Sequence, residues 1–418
     1  MKKEILKSKK LYCVLSALIV FGFAACKKEH SNLVGGTGAP VITSVATAGK
    51  SKTDTLVTTV TTYDANGVAT TVIDSNKTHN SVIPFDSTTT EGKKQNQYVI
   101  KGKNLGSVTG VSFNGVSAYF NPALVSDNTI IVSIPQNIPT GASVSNKLVV
   151  TTLHGSASFN FTVLTPPPTI SKVSDYSFTA GSQITLSGVS FATVTSVGLK
   201  GSTATATIVS QVDTQMVIKM PTAAISRANL VFTYASGTAT STQEFIDLDN
   251  SYQIFVNNNY ENGWFDNSWA HPSGISTTTS HSGTSSIEAF YPAGGWQVEG
   301  MADWNTPGKF AYNADYKYFT FWVKGGTVNH TLVLVGDQMV GGYGQVQNAN
   351  AYAAQLISVP AKVWTFYKIP LGAPSSTNPN LLNFWANGTP AQQLGFFLQG
   401  QSGDVDEAIY FDEMAFVK

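Results

Sequence analysis

The chain has 418 residues, of which 42% are hydrophobic and only 12% are charged. The hydrophobic share excludes wholesale disorder, and the length suits two to four domains. Basic and acidic residues number 25 each, and Arg227 is the single arginine. A chain without net positive charge is not expected to bind nucleic acid. Low charge together with abundant Gly, Ser and Thr favours β-sandwiches over helices.

Residues 1–25 predict a cleaved export signal. Five Lys among the first ten residues precede the apolar run Leu11–Ala25, which is shorter than the roughly 20 residues that a spanning helix needs. Small residues directly before Cys26 resemble the lipobox of bacterial lipoproteins. The resemblance implies that Cys26 carries lipid in the outer membrane, followed by a flexible tether over residues 26–38. The alternative is an ordinary signal peptide followed by a cysteine by chance.

Internal repetition organises residues 39–247. The segment Gln97–Leu105 aligns with Gln183–Phe191 at an offset of 86 residues, whereas Pro40–Val45 aligns with Pro168–Val173 at an offset of 128. The first copy therefore carries an insertion of 42 residues. Alternating residues on both sides of the dipeptide Asn66-Gly67 predict a β-hairpin within this insertion.

Each copy has short alternating strands punctuated by Gly and Pro, which is typical of a β-sandwich. The Pro-x-Ile-x-x-Val start, the Gly-x-x-Phe/Leu turn and the Val-x-Phe-x-Gly strand resemble the IPT/TIG family of immunoglobulin-like domains. We assign these domains to residues 39–165, where the motifs are more complete, and to residues 166–247. The resemblance implies spacer or interaction modules that carry no catalytic residues.

Composition changes near Asp247, because all seven Trp lie in the last segment, residues 248–418. Its alternating patterns predict nine strands and a jelly roll. The predicted strands are Tyr252–Val256, Ser285–Phe290, Trp296–Trp304, Tyr318–Lys324, Thr331–Gly336, Gln355–Val359, Trp364–Pro370, Leu394–Gln399 and Ala408–Val417. The predicted fold class is all-β, with two immunoglobulin-like β-sandwiches followed by a larger jelly-roll β-sandwich.

Five patterns in the last segment resemble carbohydrate-binding modules: Gly263-Trp264, Ser282–Ile287, Phe319–Gly326, Trp364–Leu371 and Ile409–Phe416. Together with the anchor and the repeats, the layout resembles the surface glycan-binding proteins of Bacteroidota polysaccharide-uptake systems. The resemblance implies a non-catalytic, cell-surface lipoprotein that requires no cofactor. Such a protein captures a polysaccharide for neighbouring uptake proteins.

Neutral sugars present flat C–H faces, so a binding site needs exposed aromatic planes with flanking polar groups. Polar or glycine neighbours predict exposed rings at Trp269, Trp296, Trp304 and Trp385. Gln399 is the predicted hydrogen-bond partner of a sugar hydroxyl group. Apolar neighbours place Trp322 and Trp364 in the core. In an unbroken strand, Trp296 and Trp304 share one face about 26 Å apart, with Gly300 leaving that face bare between them.

Two alternatives remain open from the sequence. A polysaccharide hydrolase or lyase would use a carboxylate pair, for which Glu299 with Asp303 and Asp404 with Asp406 are candidates. A structural adhesin would instead bind protein through the immunoglobulin-like repeats.

A metal is predicted at one position. Asp412, in the last predicted strand, is a possible ligand of a structural Ca²⁺. The six His show no zinc-type spacing.

Overall fold

The computed structural model describes residues 36–63, 69–141, 143–304, 310–339, 342, 353–375, 377–385, 388–399 and 405–418. The predicted signal peptide and Cys26 lie outside these residues. The chain divides into two compact units, Met1–Pro166 and Pro167–Lys418. Strands and four short 3₁₀ helices form the fold of the described residues, so the all-β prediction is confirmed. No helix in the described ranges has the length and apolarity required to cross a membrane.

The first unit is an immunoglobulin-like sandwich with an added hairpin. Its sheets have the strand orders β1-β5-β8 and β10-β9-β6-β7, and β11 pairs in parallel with β4. β2 and β3 pair antiparallel as the hairpin, whose predicted Asn66-Gly67 turn lies outside the described residues. The 3₁₀ helix Pro122–Leu124 precedes β8. The strands are β1 Val41–Thr47, β2 Gly49–Tyr63, β3 Ala69–Pro84, β4 Glu91–Gly92, β5 Gln97–Lys103, β6 Val108–Phe113, β7 Val116–Ala118, β8 Thr129–Ser133, β9 Lys147–Thr152, β10 Gly155–Asn160 and β11 Thr162–Val163.

The second immunoglobulin-like domain opens the second unit. Its strand order is β12-β14-β17-β16-β15-β18-β19-β13, and β16 joins the two layers by pairing with both β17 and β15. Phe191, Phe232 and Phe245 are fully buried between the layers. The 3₁₀ helices are Phe191–Thr193 and Leu248–Asn250. The strands are β12 Thr169–Val173, β13 Ser177–Phe178, β14 Gln183–Val189, β15 Val194–Leu199, β16 Thr205–Gln211, β17 Gln215–Lys219, β18 Arg227–Tyr234 and β19 Gly237–Asp247.

The C-terminal domain is the larger sandwich. One sheet has the order β21-β20-β31-β24-β23 and continues from β31 through β26 to β29; the other has the order β22-β25-β30-β27-β28. The 3₁₀ helix Ala353–Gln355 precedes β28. All nine predicted strands are present. The strands are β20 Tyr252–Val256, β21 Asn259–Tyr260, β22 Phe265–Asp266, β23 Ser273–Ser276, β24 Ser286–Tyr291, β25 Trp296–Ala302, β26 Tyr318–Lys324, β27 His330–Gly336, β28 Leu356–Val359, β29 Trp364–Pro370, β30 Gln393–Gln399 and β31 Glu407–Val417.

A glycine at the equivalent position of both copies explains part of the sequence repeat. In the first copy, a Cβ atom on Gly102 would lie 2.0 Å from the carbonyl oxygen of Val41. In the second copy, a Cβ atom on Gly188 would lie 1.9 Å from the carbonyl oxygen of Thr169. Both glycines lie beside a register shift of the first strand of their domain. The close approach of two backbones at this bulge leaves no room for any side chain.

We therefore expect Gly188→Ala to lower the free energy of unfolding of the second immunoglobulin-like domain by about 1–3 kcal/mol, because backbone must move to admit the methyl group. Gly198→Ala is the matched control: its Cβ would meet nothing closer than 3.8 Å. The control should change stability by no more than about 0.5 kcal/mol. Scanning calorimetry of the full chain measures the stability of both variants. Equal unfolding temperatures for Gly188→Ala and Gly198→Ala would contradict the steric argument.

Candidate functional site

An edge segment brings two tryptophans together in the C-terminal domain. Residues 265–271 run along β25 in one antiparallel register, with Phe265 opposite Ala302 and Trp269 opposite Val298. The N–H of Trp269 donates to the oxygen of Val298 at 3.0 Å, and the N–H of Val298 donates back at 3.2 Å. Since directly opposed residues share a face, Trp269 lies on the face that also carries Trp296.

The two rings form what we call the Trp269–Trp296 pair. Their centroids are 5.1 Å apart and their planes are nearly perpendicular, at 84°. Trp269 is 53% exposed, whereas Trp296 is half-buried and packs towards Phe397, with ring centroids 6.5 Å apart. Trp296 is therefore held against the sheet, whereas Trp269 presents a large area of indole to solvent.

Trp304 does not complete the predicted regular platform. Its side chain is 46% exposed, as expected, but β25 ends two residues earlier, at Ala302. The prediction of an unbroken strand from Trp296 to Trp304 is therefore wrong. Gly300 lies directly opposite Gly395, and both are buried, so Gly300 does not leave an open surface.

The prediction of an exposed ring at Trp385 is also wrong. Its side chain is 5% exposed and packs against Phe310 and Phe384, with centroids 4.9 Å away in each case. The indole N–H donates to the backbone oxygen of Phe310 at 2.9 Å, which satisfies its polar atom inside the core. Gln399 pairs with Trp296 through the backbone, and its side chain lies outside the described part of the structure.

The candidate catalytic carboxylates Glu299 and Asp303 are buried, with 0% and 1% exposure. Glu299 Oε2 accepts a hydrogen bond from Ser268 at 2.9 Å, while Oε1 has no hydrogen-bond partner among the residues that the structure describes. Burial, reinforced by the charge of Asp266, raises the pKa of Glu299 to about 8. A polysaccharide cannot reach this carboxyl group. Of the other candidate pair, Asp404 lies outside the described residues.

A cavity of about 460 Å³ forms a second aromatic surface in the same domain. Tyr312, which is 54% exposed, lies at its mouth, and Tyr316 stacks on Trp385 with centroids 6.1 Å apart. The amide side chains of Asn313 and Asn383 also line it. This combination of rings and amides is a second candidate for sugar contacts.

A third cluster lies where the second immunoglobulin-like domain meets the C-terminal domain. Asp175, His281 and Glu413 offer ligand atoms that all lie within 4.8 Å of one another. Asp412, the predicted calcium ligand, is their neighbour. Its Oδ2 accepts hydrogen bonds from the N–H groups of His281 at 2.8 Å and Ser282 at 3.2 Å. Calcium at Asp412 stays a prediction, and sequence reasoning missed the cluster because three distant segments contribute to it.

Trp322 belongs to the same junction. It is 6% exposed, as predicted for a core residue, and its neighbours come from both domains. His281 stacks on it with centroids 3.7 Å apart, and Tyr176 stacks on it at 6.2 Å. Trp364, the other predicted core tryptophan, is half-buried and meets the edge of His281.

One of the two repeats matches a known domain family. Residues 168–246 match the model of the IPT/TIG domain family. An IPT/TIG domain-containing protein of Bacteroides ovatus is 32% identical over 118 residues, which cover 27% of this chain and 24% of that protein. The predicted family resemblance is thus confirmed for the second copy, although its motifs are the less complete of the two. The aligned stretch spans about a quarter of the relative.

Two solved structures are similar to this chain over most of its length. The surface glycan-binding protein PbSGBP-B of Prevotella bryantii has a TM-score of 0.51 at 18% identity, covering 91% of this chain and 99% of that one. SGBP-B from a complex xyloglucan utilization locus of Bacteroides uniformis has a TM-score of 0.39 at 17% identity, covering 78% and 96%. The first of these similarities shows that the fold is immunoglobulin-like sandwiches followed by a larger β-sandwich.

The buried Glu299 predicts a pH dependence. The unfolded chain releases its proton near pH 4.5, whereas the folded domain keeps it until about pH 8. The free energy of unfolding therefore falls as pH rises through this window, by at most about 5 kcal/mol from this group. We expect Glu299→Gln to be more stable than the parent at pH 9, with a much smaller difference at pH 4.5.

Calorimetry of the full chain at the two pH values measures the effect. Asp315→Asn, which alters an exposed carboxylate, is the control. Its stability should change between the two pH values by the same amount as that of the parent. A Glu299→Gln variant whose stability relative to the parent is the same at both pH values would contradict a buried proton at this position.

Proposed function

We propose that the protein is a non-catalytic, cell-surface glycan-binding lipoprotein that captures a polysaccharide through the Trp269–Trp296 pair. The observation that carries this proposal is the exposed indole of Trp269, fixed by backbone hydrogen bonds to β25 and supported from the side by Trp296. A sugar ring can cover such an indole much as another aromatic ring would.

The polar surroundings of the pair suit sugar hydroxyl groups. Asn267 lies two residues before Trp269 on the same face of the edge segment, and its backbone N–H donates to the oxygen of Gly300 at 2.8 Å. Residues 251–418 carry twelve acidic residues and six Lys, which disfavours a strongly anionic ligand. A neutral polysaccharide therefore fits this domain better than an acidic one.

The fold supports the same proposal by analogy. PbSGBP-B, which is similar to this chain in fold, is a surface glycan-binding protein. The lipobox-like sequence ending at Cys26 supports attachment to the outer membrane, and a position beside glycan-uptake proteins follows from the same analogy. Spacer-like immunoglobulin domains then separate the anchor from the binding domain.

The binding surface is tested by affinity electrophoresis of the full chain in gels containing a panel of neutral polysaccharides. At least one polysaccharide should retard the protein. Loss of one stacking ring costs on the order of 1–3 kcal/mol, so Trp269→Ala should weaken binding to it by about 5- to 150-fold. Because Trp269 is exposed, the variant should keep the thermal transition of the parent.

Two further variants complete this experiment. Tyr119→Ala removes a ring that is 76% exposed in the first unit, and it should not change the affinity. If Tyr312→Ala abolishes retention while Trp269→Ala does not, the aromatic cavity is the site instead. Absence of retention by the whole panel would contradict glycan binding, and release of reducing ends would favour a hydrolase.

The anchor is tested separately. A single acyl chain gives weak membrane binding, whereas the lipoprotein modification supplies more than one. Cys26→Ala should therefore move the protein from the membrane fraction to the soluble fraction of cells that express the full chain. A protease-accessibility assay on intact cells measures surface exposure, and unchanged membrane partitioning of Cys26→Ala would exclude the lipid anchor.

A further inference from the structure

The junction inside the second unit brings together a set of metal-type ligands. Asp175 comes from the segment between β12 and β13, His281 from the segment between β23 and β24, and Glu413 from β31. His281 Nε2 lies 3.3 Å from Asp175 Oδ2. One domain thus supplies a carboxylate, and the other supplies a carboxylate and an imidazole.

Other contacts hold these side chains in position. Asp175 Oδ1 accepts hydrogen bonds from the indole N–H of Trp322 at 3.2 Å and from the N–H of Ser177 at 2.9 Å. Its Oδ2 is left facing His281. The imidazole stacks on Trp322, and Asp412 fixes the backbone of His281. Such outer contacts are what orient the ligands of protein metal sites.

A β-bulge directs Glu413 to the junction. The register between β26 and β31 shifts between Thr320 and Trp322, and Glu413 has a φ of 50°. The extra residue is not part of the hydrogen-bonded ladder. The side chain of Glu413 therefore points in a different direction from those of its two neighbours in the chain. Bulges commonly redirect a side chain next to a functional site.

One atom in each of two ligand groups makes no hydrogen bond among the described residues. His281 Nε2 and Glu413 Oε2 are buried and make no hydrogen bond within the described part of the chain. Glu413 is only 4% exposed, and the His281 side chain is 10% exposed. Buried polar atoms without partners are costly, and a cation would satisfy both.

We propose that Asp175, His281 and Glu413 bind one divalent transition-metal ion of the zinc type, which links the second immunoglobulin-like domain to the C-terminal domain. Zinc takes imidazole nitrogen and carboxylate oxygen at about 2.0–2.2 Å, which places neighbouring ligands about 3.4 Å apart. The His281–Asp175 separation meets this spacing. Calcium and magnesium prefer sites made of oxygen ligands alone.

A cavity of about 440 Å³ beside the three ligands provides an entry path. It is lined by Asn257, Asn258 and Ser282 as well as by the ligand residues. The ion can therefore exchange with solvent, and a water molecule can fill its fourth position.

The test uses the full chain, stripped with a chelator and then titrated with ZnCl₂ while calorimetry and tryptophan fluorescence are recorded. We expect one Zn²⁺ per chain, a change in the tryptophan emission, to which Trp322 contributes, and a rise in the unfolding temperature. Glu413→Gln and His281→Gln should each weaken Zn²⁺ binding at least about 100-fold. Substituting even a residue that only hydrogen-bonds to a metal ligand lowers metal affinity about 10- to 100-fold. Asp213→Asn, an exposed carboxylate of the second domain, should bind as the parent does.

Glu413→Gln also separates metal binding from simple packing. Without metal, this variant should unfold at a higher temperature than the parent, because a buried acid near Asp175 has been replaced by a neutral amide. With Zn²⁺, it should show none of the rise that the parent shows. The proposal is overturned if the parent binds no Zn²⁺ saturably, if Glu413→Gln binds it equally well, or if CaCl₂ binds more tightly than ZnCl₂.

Discussion

Strand β31 is the element on which the C-terminal domain depends. It pairs with β24 and β20 along one edge and with β26 along the other. The bulge at Glu413 reverses the alternation of its side chains. Ile409 and Phe411 enter the core before the bulge, and Met414 and Phe416 enter it afterwards. Without the extra residue, half of this strand would turn its apolar side chains away from the core.

The same strand contributes to the contact between domains. Ala415 and Val417 turn away from the main core and pack with Ile246 and Leu248 at the end of the second immunoglobulin-like domain. Beyond this apolar cluster, Arg227 donates to Glu244 at 2.7 Å, and Lys368 of the C-terminal domain pairs with the same carboxylate. Apolar burial and ion pairs therefore act together, which makes the second unit one compact body.

Local pattern was sufficient to predict the strands but not the sites. Nine of the twelve strands of the C-terminal domain were predictable from alternation over four or more residues. The three strands that were missed carry no such alternation: β21 and β22 have two residues each, and the four residues of β23 show no alternation of buried and exposed side chains. The polar residues near Trp385 indicated exposure, yet the indole N–H found a carbonyl inside the core. Asp175 and Glu413 are brought together by tertiary structure, and nothing in their local sequence indicates it.

The pairing of β20 with β31 has a consequence for the rate of folding. Tyr252 lies opposite Phe416, so the first strand of the domain must find a partner more than 160 residues away. Closing so large a loop costs chain entropy before the contact gives any stability in return. We therefore expect the C-terminal domain to fold in milliseconds to seconds, with an intermediate that leaves the edges of β24 and β26 open to other chains.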